Sequence, residues 1–262
     1  MKLNNIPNEI KQLNQWVCTK KSDKVPRMAT SPYNASSTNP NTWVSFDKAL
    51  ESVKKGVYDY LGFVFNNNGI VGIDIDDGYD SEGFLTYIAS DIIGKCGSYT
   101  EKSKSGRGFH ILLKGDIPFT GKNNLRGVEI YKQSRFFIMT GDTLIYDEII
   151  ENQTAIDYVI KKYFTPTENS VKTNIISDRI YTPIWGNTQG RIQLRPSYPK
   201  IASGCRNISL TSLAGALHNQ GYSKQEILKE ISYCNTIACV PVLPYNELIT
   251  IVNSITRYNR VY

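Results

Sequence analysis

The spacing of apolar residues changes along this chain, and that change limits the fold more than any other feature of the sequence. Between residues 60 and 140, β-branched and aromatic residues form short runs bounded by glycine or polar turns, which is typical of strands. After residue 201 the spacing becomes three and four, as in Leu210, Leu213, Ala214 and Leu217, which is typical of helices. The sequence therefore predicts an α+β region followed by a small all-helical module.

The predicted domains follow from this pattern. Residues 1–164 form the α+β domain, residues 165–200 a linker, and residues 201–262 the helical module. The linker contains four prolines and many asparagine, serine and threonine residues, with one ordered turn expected at Trp185. In the helical module, Ser223 and Glu226 form a capping box for the second helix, and a third helix follows Pro244.

Strands and one helix are predicted within the α+β domain. The asparagines before Gly69 favour a positive φ, so the two strands on either side are predicted to pair as a tight hairpin. The helix begins after Ser45, and the predicted strands are Gln15–Thr19, Tyr60–Phe65, Gly69–Asp76, Phe109–Lys114, Gly127–Tyr131 and Arg135–Thr140.

Composition excludes several classes of protein. No apolar run approaches the roughly 20 residues of a membrane-spanning helix, and the N-terminal stretch is polar, so we expect a cytoplasmic protein without membrane contact. The net charge is +6, and residues 165–262 hold 10 basic against 5 acidic residues, which fits a polyanionic partner. Scattered cysteines with only two histidines predict reduced thiols and no zinc site. The cysteines are Cys18, Cys96, Cys205, Cys234 and Cys239.

Two aspartates lie on one face of a predicted strand. In Val71–Asp77, Ile73 and Ile75 point one way while Asp74 and Asp76 point the other, with Cα atoms about 6.6 Å apart. Such a pair of carboxylates can bracket two Mg²⁺ or Mn²⁺ ions. The alternative interpretation is an acidic, solvent-exposed strand end.

A glycine-rich turn precedes the next strand. Backbone N–H groups, the guanidinium and the imidazole of this turn can bind phosphate oxygens. A plain turn followed by a core histidine is the alternative. The candidate residues are Ser103, Ser105, Gly106, Arg107, Gly108 and His110.

A third carboxylate and a further cation follow on two more strands. In Gly127–Tyr131, Val128 and Ile130 face the core, so Glu129 points to the opposite side. Arg135 begins the next strand, where it can neutralise phosphate charge or lie in solvent.

In order and spacing, these motifs resemble the archaeo-eukaryotic primase superfamily, and within it the primase-polymerases of phages, plasmids and other mobile elements. The motifs are Asp-x-Asp on a strand, Ser-Gly-Arg-Gly-Phe-His, a strand glutamate, and Arg-Phe-Phe-x-x-Thr-Gly. The final module, with Gly204-Cys-Arg-Asn207 and its apolar helical stripes, resembles the primase C-terminal helical domain.

The resemblance implies a fold, a reaction and roles for the motif residues. The expected fold is a primase-polymerase catalytic core with an RRM-like antiparallel sheet and a small α/β subdomain. Asp74, Asp76 and Glu129 would hold two Mg²⁺ or Mn²⁺ ions. His110, Ser105 and Arg107 would contact the phosphates of an incoming ribo- or deoxyribonucleoside triphosphate, with His110 counted among the catalytic residues.

Nucleic acid and replication proteins are the expected partners. A basic loop with Lys20, Lys21, Lys24 and Arg27 is predicted to hold a single-stranded DNA template with its primer by sequence-independent contacts. A replicative helicase domain or protein is a further possible partner, although this chain contains no GxxxxGK[ST] motif.

Two other functions remain open at the level of sequence. A metal-dependent nuclease also uses clustered carboxylates, although Lys132 lies three positions after Glu129 and His110 lacks a second histidine nearby. A non-catalytic replication-initiation or DNA-binding module of the same fold is the other alternative. The residues do not decide between primer initiation and extension, between ribo- and deoxyribonucleotides, or between oligomeric states.

Overall fold

The computed structural model describes residues 2–123, 127–165, 185 and 190–258. In these ranges the chain has a mixed α/β fold with antiparallel sheets and helices, which confirms the predicted combination of strands and helices. Among the helices described, none is both long enough and apolar enough to cross a membrane. The closer likeness to an RRM-like core stays a prediction.

The elements are numbered in chain order. Helix α4 continues into one π-helical stretch, Ile160–Phe164. The elements are α1 (Asn8–Lys11), β1 (Trp16–Thr19), α2 (Phe46–Lys54), β2 (Tyr60–Asn66), β3 (Ile70–Ile75), α3 (Tyr87–Cys96), β4 (Thr100–Lys102), β5 (Phe109–Lys114), β6 (Gly121–Asn123), β7 (Val128–Tyr131), β8 (Gln133–Met139), α4 (Gln153–Val159), β9 (Ile201–Ala202), α5 (Arg206–Asn219), α6 (Lys224–Ala238), β10 (Cys239–Val240) and α7 (Tyr245–Ile255).

The larger sheet has five strands in the order β4-β5-β3-β7-β6, and all neighbouring strands are antiparallel. Ile73 of the central strand belongs to a buried cluster with Ile92 of α3 and Ile156 of α4. Because side chains alternate along a strand, Gly72 and Asp74 lie on the opposite face. That face is the one that concerns function.

The smaller sheet, in the order β1-β2-β8, packs against part of this second face. A methyl group at Gly72 would lie 2.2 Å from the Phe65 ring and 2.7 Å from the Phe137 ring, so only glycine allows the rings of β2 and β8 to approach so closely. The sheet is thus covered at Gly72, and two residues further along, at Asp74, a cavity opens.

The predicted hairpin between β2 and β3 is wrong. The intervening turn does have positive φ at Asn67 (51°) and Gly69 (83°), as its residues favour. However, β2 pairs with β1 and β8, whereas β3 pairs with β5 and β7. Turn residues determine local backbone angles, but both hydrogen-bonding edges of each strand are taken by more distant partners. The turn therefore connects two sheets.

The helical module agrees with the predicted pattern. All four residues of the first stripe, from Leu210 to Leu217, are fully buried. Ser223 and Glu226 form the predicted capping box at the start of α6. Ser45 does occupy the N-cap of α2, but its side chain makes no capping hydrogen bond.

Most of the predicted linker lies outside the described residues, so its boundaries stay predictions. The described part packs against both sides: the Gln193 N–H donates to the Ile145 carbonyl at 2.8 Å, and the Ile192 N–H donates to Gln220 at 3.1 Å. Trp185 is buried and packs on Tyr198. The five cysteines are free thiols, and all except Cys205 are buried.

Candidate functional site

Four acidic or histidine side chains form one row across the larger sheet. Glu101 on β4 is in register with His110 on β5, His110 with Asp74 on β3, and Asp74 with Glu129 on β7. Directly opposed residues on antiparallel strands project their side chains to the same face. Residues far apart in sequence are therefore brought side by side through the pairing of four strands. We call these residues the acid–histidine row.

The row borders a cavity of about 520 Å³, within the size range of sites that bind small molecules. Three of the lining residues are carboxylates, three are lysine or arginine, and one is the histidine of the row. The lining residues are Lys24, Asp74, Asp76, Ser103, Lys104, Ser105, His110, Glu129, Arg135, Phe136, Phe137 and Ile138.

Asp74 and Glu129 are the more enclosed of the three carboxylates, each with 22% of its side chain exposed. Burial raises the pKa of Asp74, and the negative charges of Asp76 and Glu129 raise it further, against the opposing charges of His110 and Lys24. Asp76 directly follows the last residue of β3, lines the same cavity and is exposed to solvent. A bound cation would relieve this repulsion among acidic groups.

The residues fit a hard divalent cation, because carboxylate oxygens are the ligands that Mg²⁺ and Mn²⁺ prefer. Within the described part of the chain, however, no three acidic, histidine or cysteine side chains already converge as a metal-ligand cluster. Glu129 is held by neighbours instead: its Oε2 accepts a hydrogen bond from the Tyr131 hydroxyl at 2.8 Å and lies 3.5 Å from Arg135 Nη2. Two metal ions in this cavity stay a prediction.

His110 is held on three sides. Its ring stacks on Phe137 with centroids 4.5 Å apart, Nδ1 lies 3.2 Å from Glu101 Oε1, and Nε2 lies 3.9 Å from Asp74 Oδ1. Burial lowers the pKa of His110, but the hydrogen bond to Glu101 and the charge of Asp74 outweigh burial, so the pKa is raised overall. The imidazole therefore keeps its charged, donating form to a higher pH than an ordinary histidine does.

The glycine-rich turn is divided between cavity and surface. Ser103 and Ser105 line the cavity, with their hydroxyls 3.0 Å apart. Arg107 lies outside it, with 80% of its side chain exposed and its Nε 3.9 Å from Asp77. Gly108 is not part of the lining either. A methyl group there would be 2.2 Å from the Ile75 carbonyl oxygen, so the Gly108 backbone lies directly against β3. Gly106 has a positive φ of 74° and open space around it.

The predicted template residues do not lie together. Lys24 lines the cavity beside the acidic residues. Arg27 forms a two-pronged ion pair with Asp23, through N–O distances of 2.7 and 2.9 Å. Lys21 is exposed, and its backbone N–H donates to Asp59.

A second cavity, of about 720 Å³, is larger, but its lining offers fewer acidic groups. It is bordered by Lys20, Arg27, Lys48 and Lys55, and the one lining carboxylate, Glu51, is paired with Lys55 at 2.6 Å. Size alone would select this cavity, but it contains no group of acidic residues. The cavity beside the acid–histidine row is therefore the candidate functional site.

Sequence reasoning missed several contributors to the site. Glu101 belongs to no motif, Tyr131 and Lys104 lie within motifs but were given no role, and Lys24 was assigned to the template alone. A glutamate in a three-residue strand has the local pattern of a solvent-exposed residue, yet Glu101 is completely buried. Its partners become visible only through strand pairing, which no local pattern encodes.

Comparisons with known proteins point to one class. Residues 196–260, within the helical module and the segment before it, match the family model Primase C terminal 1 (PriCT-1). The chain is also similar to a protein named DNA primase-polymerase from Nitratiruptor phage NrS-1, with 31% identity over 137 residues. These findings confirm the predicted resemblance to phage-type primase-polymerases with a primase C-terminal domain.

The similarity covers part of each protein. The alignment includes 49% of this chain and 19% of the phage protein, so the chain spans about a fifth of the relative that it matches. The activity in the name of the phage protein belongs to that protein as a whole.

Proposed function

We propose that this chain catalyses template-directed synthesis of DNA or RNA from nucleoside triphosphates, as a primase, a DNA polymerase or both. Its role would be in the replication of a phage, plasmid or other mobile element. The observation that best supports this proposal is that one cavity combines three carboxylates with three basic side chains and a histidine. Carboxylates suit metal ions, and basic side chains suit a triphosphate.

The incoming nucleotide would bind with its triphosphate toward the basic part of the lining. Arg135 and Lys24 would offset phosphate charge, and the hydroxyls of Ser103 and Ser105 would donate to phosphate oxygens. His110 would present Nε2 to the same oxygens, since its other nitrogen is occupied by Glu101. These contacts hold the α-phosphate in line with a primer 3′-hydroxyl.

Asp74, Asp76 and Glu129 would hold the divalent ions. When bound, two such ions activate the attacking hydroxyl and stabilise the leaving pyrophosphate. Glu129 would enter this role from a fixed position, because the Tyr131 hydroxyl already donates to its Oε2.

A single-stranded DNA template with its primer would be the macromolecular substrate. Lys21 and Arg27 remain candidates for contact with the template backbone, which implies binding that weakens with salt. The match of residues 196–260 to a primase C-terminal family supports a place in replication, where a helicase domain or protein would be a partner.

The decisive experiment is nucleotide incorporation on a single-stranded template, with and without an annealed primer, in Mg²⁺ or Mn²⁺. The wild type is compared with the Asp74→Asn/Asp76→Asn double variant, which keeps the shape of both side chains. We expect product from the wild type alone. The lane without primer shows whether synthesis can start without an existing 3′ end.

Two other outcomes would replace the proposal. Shortening of the template without synthesis would identify a metal-dependent nuclease. Template binding without either reaction would identify a non-catalytic replication module.

A further inference from the structure

Glu101 is a buried carboxylate that accepts hydrogen bonds from several directions. It is completely buried, and its Oε2 accepts from the Tyr99 hydroxyl at 2.6 Å and from the Gly141 N–H at 2.8 Å. The Thr140 N–H donates to Oε1 at 3.0 Å. The fourth neighbour is His110, whose Nδ1 lies 3.2 Å from Oε1. Two of these partners are backbone N–H groups, which can only donate.

This environment determines which ring nitrogen of His110 bears a proton. A carboxylate surrounded by backbone N–H groups acts as an acceptor, so Nδ1 of His110 must be the donor in the contact with Oε1. Phe137 stacks on one face of the ring, with the two planes 15° apart. The remaining nitrogen, Nε2, is then the ring atom that faces the cavity on the side of Asp74.

Glu101 also connects separate parts of the fold. It lies on the edge strand β4, pairs in register with His110 on β5, and receives N–H groups from the segment just after β8. The smaller sheet ends at this segment, and the larger sheet contains the histidine. The carboxylate thereby fixes His110 relative to both sheets.

We propose that Glu101 is a positioning residue for His110, which holds Nδ1 as a donor so that Nε2 faces the nucleotide phosphates. With Nδ1 donating to Glu101, Nε2 can donate to an anion when the ring is charged, and the Glu101 carboxylate offsets that charge. The position and tautomer of the ring follow from the contacts of Glu101. The phosphate ligand of Nε2 rests on the proposed function.

Glu101→Gln is the variant that separates this role from simple packing. Its amide has almost the same shape, and the amide oxygen in the place of Oε2 can still accept from Tyr99, from Gly141 and from the Thr140 N–H, which lies 3.2 Å from Oε2. The amide NH₂ would then replace Oε1, which faces Nδ1 of His110. Because an NH₂ group donates, Nδ1 would have to become an acceptor and the ring would change tautomer.

Nitrogen-15 NMR of the histidine rings tests the positioning directly. The chain has only two histidines, and a His218→Gln variant assigns the second, which lies half-buried in the last turn of α5. In the wild type we expect a protonated Nδ1 in His110 both where the ring is neutral and where it is charged. In Glu101→Gln we expect an unprotonated Nδ1 in the neutral ring. Tyr99→Phe, which removes a different donor to Glu101, should keep the wild-type Nδ1 state.

An unprotonated Nδ1 in the wild type would overturn the proposal, whatever the variants do. An unchanged Nδ1 state in a folded Glu101→Gln protein would do the same. Neither reading depends on synthesis, so both remain valid if the chain incorporates no nucleotide and the proposed function fails.

Kinetics then test whether the positioning serves nucleotide binding. We expect Glu101→Gln to raise the nucleotide KM about tenfold, the usual size of an effect transmitted through a ligand's hydrogen-bond partner. In a His110→Asn background the same substitution should change KM little further, because coupled residues are not additive. Equal losses of kcat in both backgrounds, without a change in KM, would show a purely structural role and contradict the proposal.

Discussion

The Tyr131 hydroxyl donates a hydrogen bond to Glu129 Oε2 at 2.8 Å, so a proposed metal-binding carboxylate is held by a side chain two positions away on the same strand. Arg135 Nη2 in turn donates to the Tyr131 oxygen at 3.0 Å, and its guanidinium lies over the tyrosine ring. Metal-binding carboxylates are commonly hydrogen-bonded in this way, because a ligand that rotates freely loses entropy when it binds.

Tyr131→Phe should therefore weaken metal binding while the fold stays intact. Loss of a hydrogen bond to a metal ligand reduces affinity or activity by about 10- to 100-fold. The measurement is the Mn²⁺ concentration that gives half-maximal incorporation. Tyr33→Phe is the matched control, since Tyr33 is 72% exposed and lies outside the cavity lining. Equal Mn²⁺ requirements in the two variants would count against the supporting role.

Asp74→Asn should abolish incorporation without lowering the thermal midpoint in the absence of metal. Burial and the neighbouring acidic groups raise the pKa of Asp74, so its charged form is disfavoured in the folded protein and a neutral amide removes that repulsion. Saturating Mn²⁺ should stabilise the wild type by preferential binding to the folded state, and this gain should be lost in the variant.

Thermal unfolding with and without Mn²⁺ makes this measurement. Asp47→Asn, at an exposed position in the first turn of α2, serves as the control and should keep the metal-dependent rise. A rise in Asp74→Asn as large as that of the wild type would remove Asp74 from the metal site.

The spacing of apolar residues was sufficient to predict the helical module, because the residues that this spacing places on one face of a helix are the residues that the helix buries. The buried residues from Leu210 to Leu217 and the capping box of Ser223 and Glu226 follow from sequence neighbours alone. Strand pairing, in contrast, does not follow from sequence neighbours alone. The turn at Gly69 was correctly predicted, but its two strands belong to different sheets.

The same difference between local patterns and strand pairing separates the site residues that were predicted from those that were not. Asp74, His110 and Glu129 were predicted as separate motifs, and they lie around one cavity. Glu101 and Tyr131 were not predicted, because their importance depends on which groups they touch across strands and along the strand face. Polar residues of this kind have no characteristic spacing.

Lys24→Met should act on the nucleotide, although its sequence context suggested the template. Lys24 lines the cavity with Asp74 and His110, whereas Lys21 is exposed outside it. Removing a charge that faces phosphate should raise the nucleotide KM about tenfold, the size of one charge-assisted contact. Lys21→Met is the matched control.

Two readouts separate the roles of these lysines: nucleotide KM, and the affinity for single-stranded DNA at low and moderate salt. We expect Lys24→Met to change mainly the first and Lys21→Met mainly the second. If Lys24→Met weakens DNA affinity and leaves the nucleotide KM unchanged, Lys24 contacts the template and not the nucleotide.

Gly108→Ala should disturb the site more than Gly106→Ala. A methyl group at Gly108 would lie 2.2 Å from the Ile75 carbonyl oxygen and 2.6 Å from that of Asp76, so the backbone beside the aspartates would have to move. At Gly106 there is free space, and only the positive φ is unfavourable, which costs about 1 kcal/mol. Incorporation rate and thermal midpoint should both fall further in Gly108→Ala. A larger loss in Gly106→Ala than in Gly108→Ala would show that the glycine-rich turn does not pack tightly against β3.

The acid–histidine row has a consequence for how such a chain can change during evolution. Each member occupies its place through strand register, and neighbouring positions on a strand point to opposite faces. One residue inserted into β3 before Asp74 would turn the Asp74 side chain toward the helices and place an isoleucine in the cavity. Turns between these strands can therefore lengthen or shorten among descendants, whereas the strands can exchange residues but not alter their length.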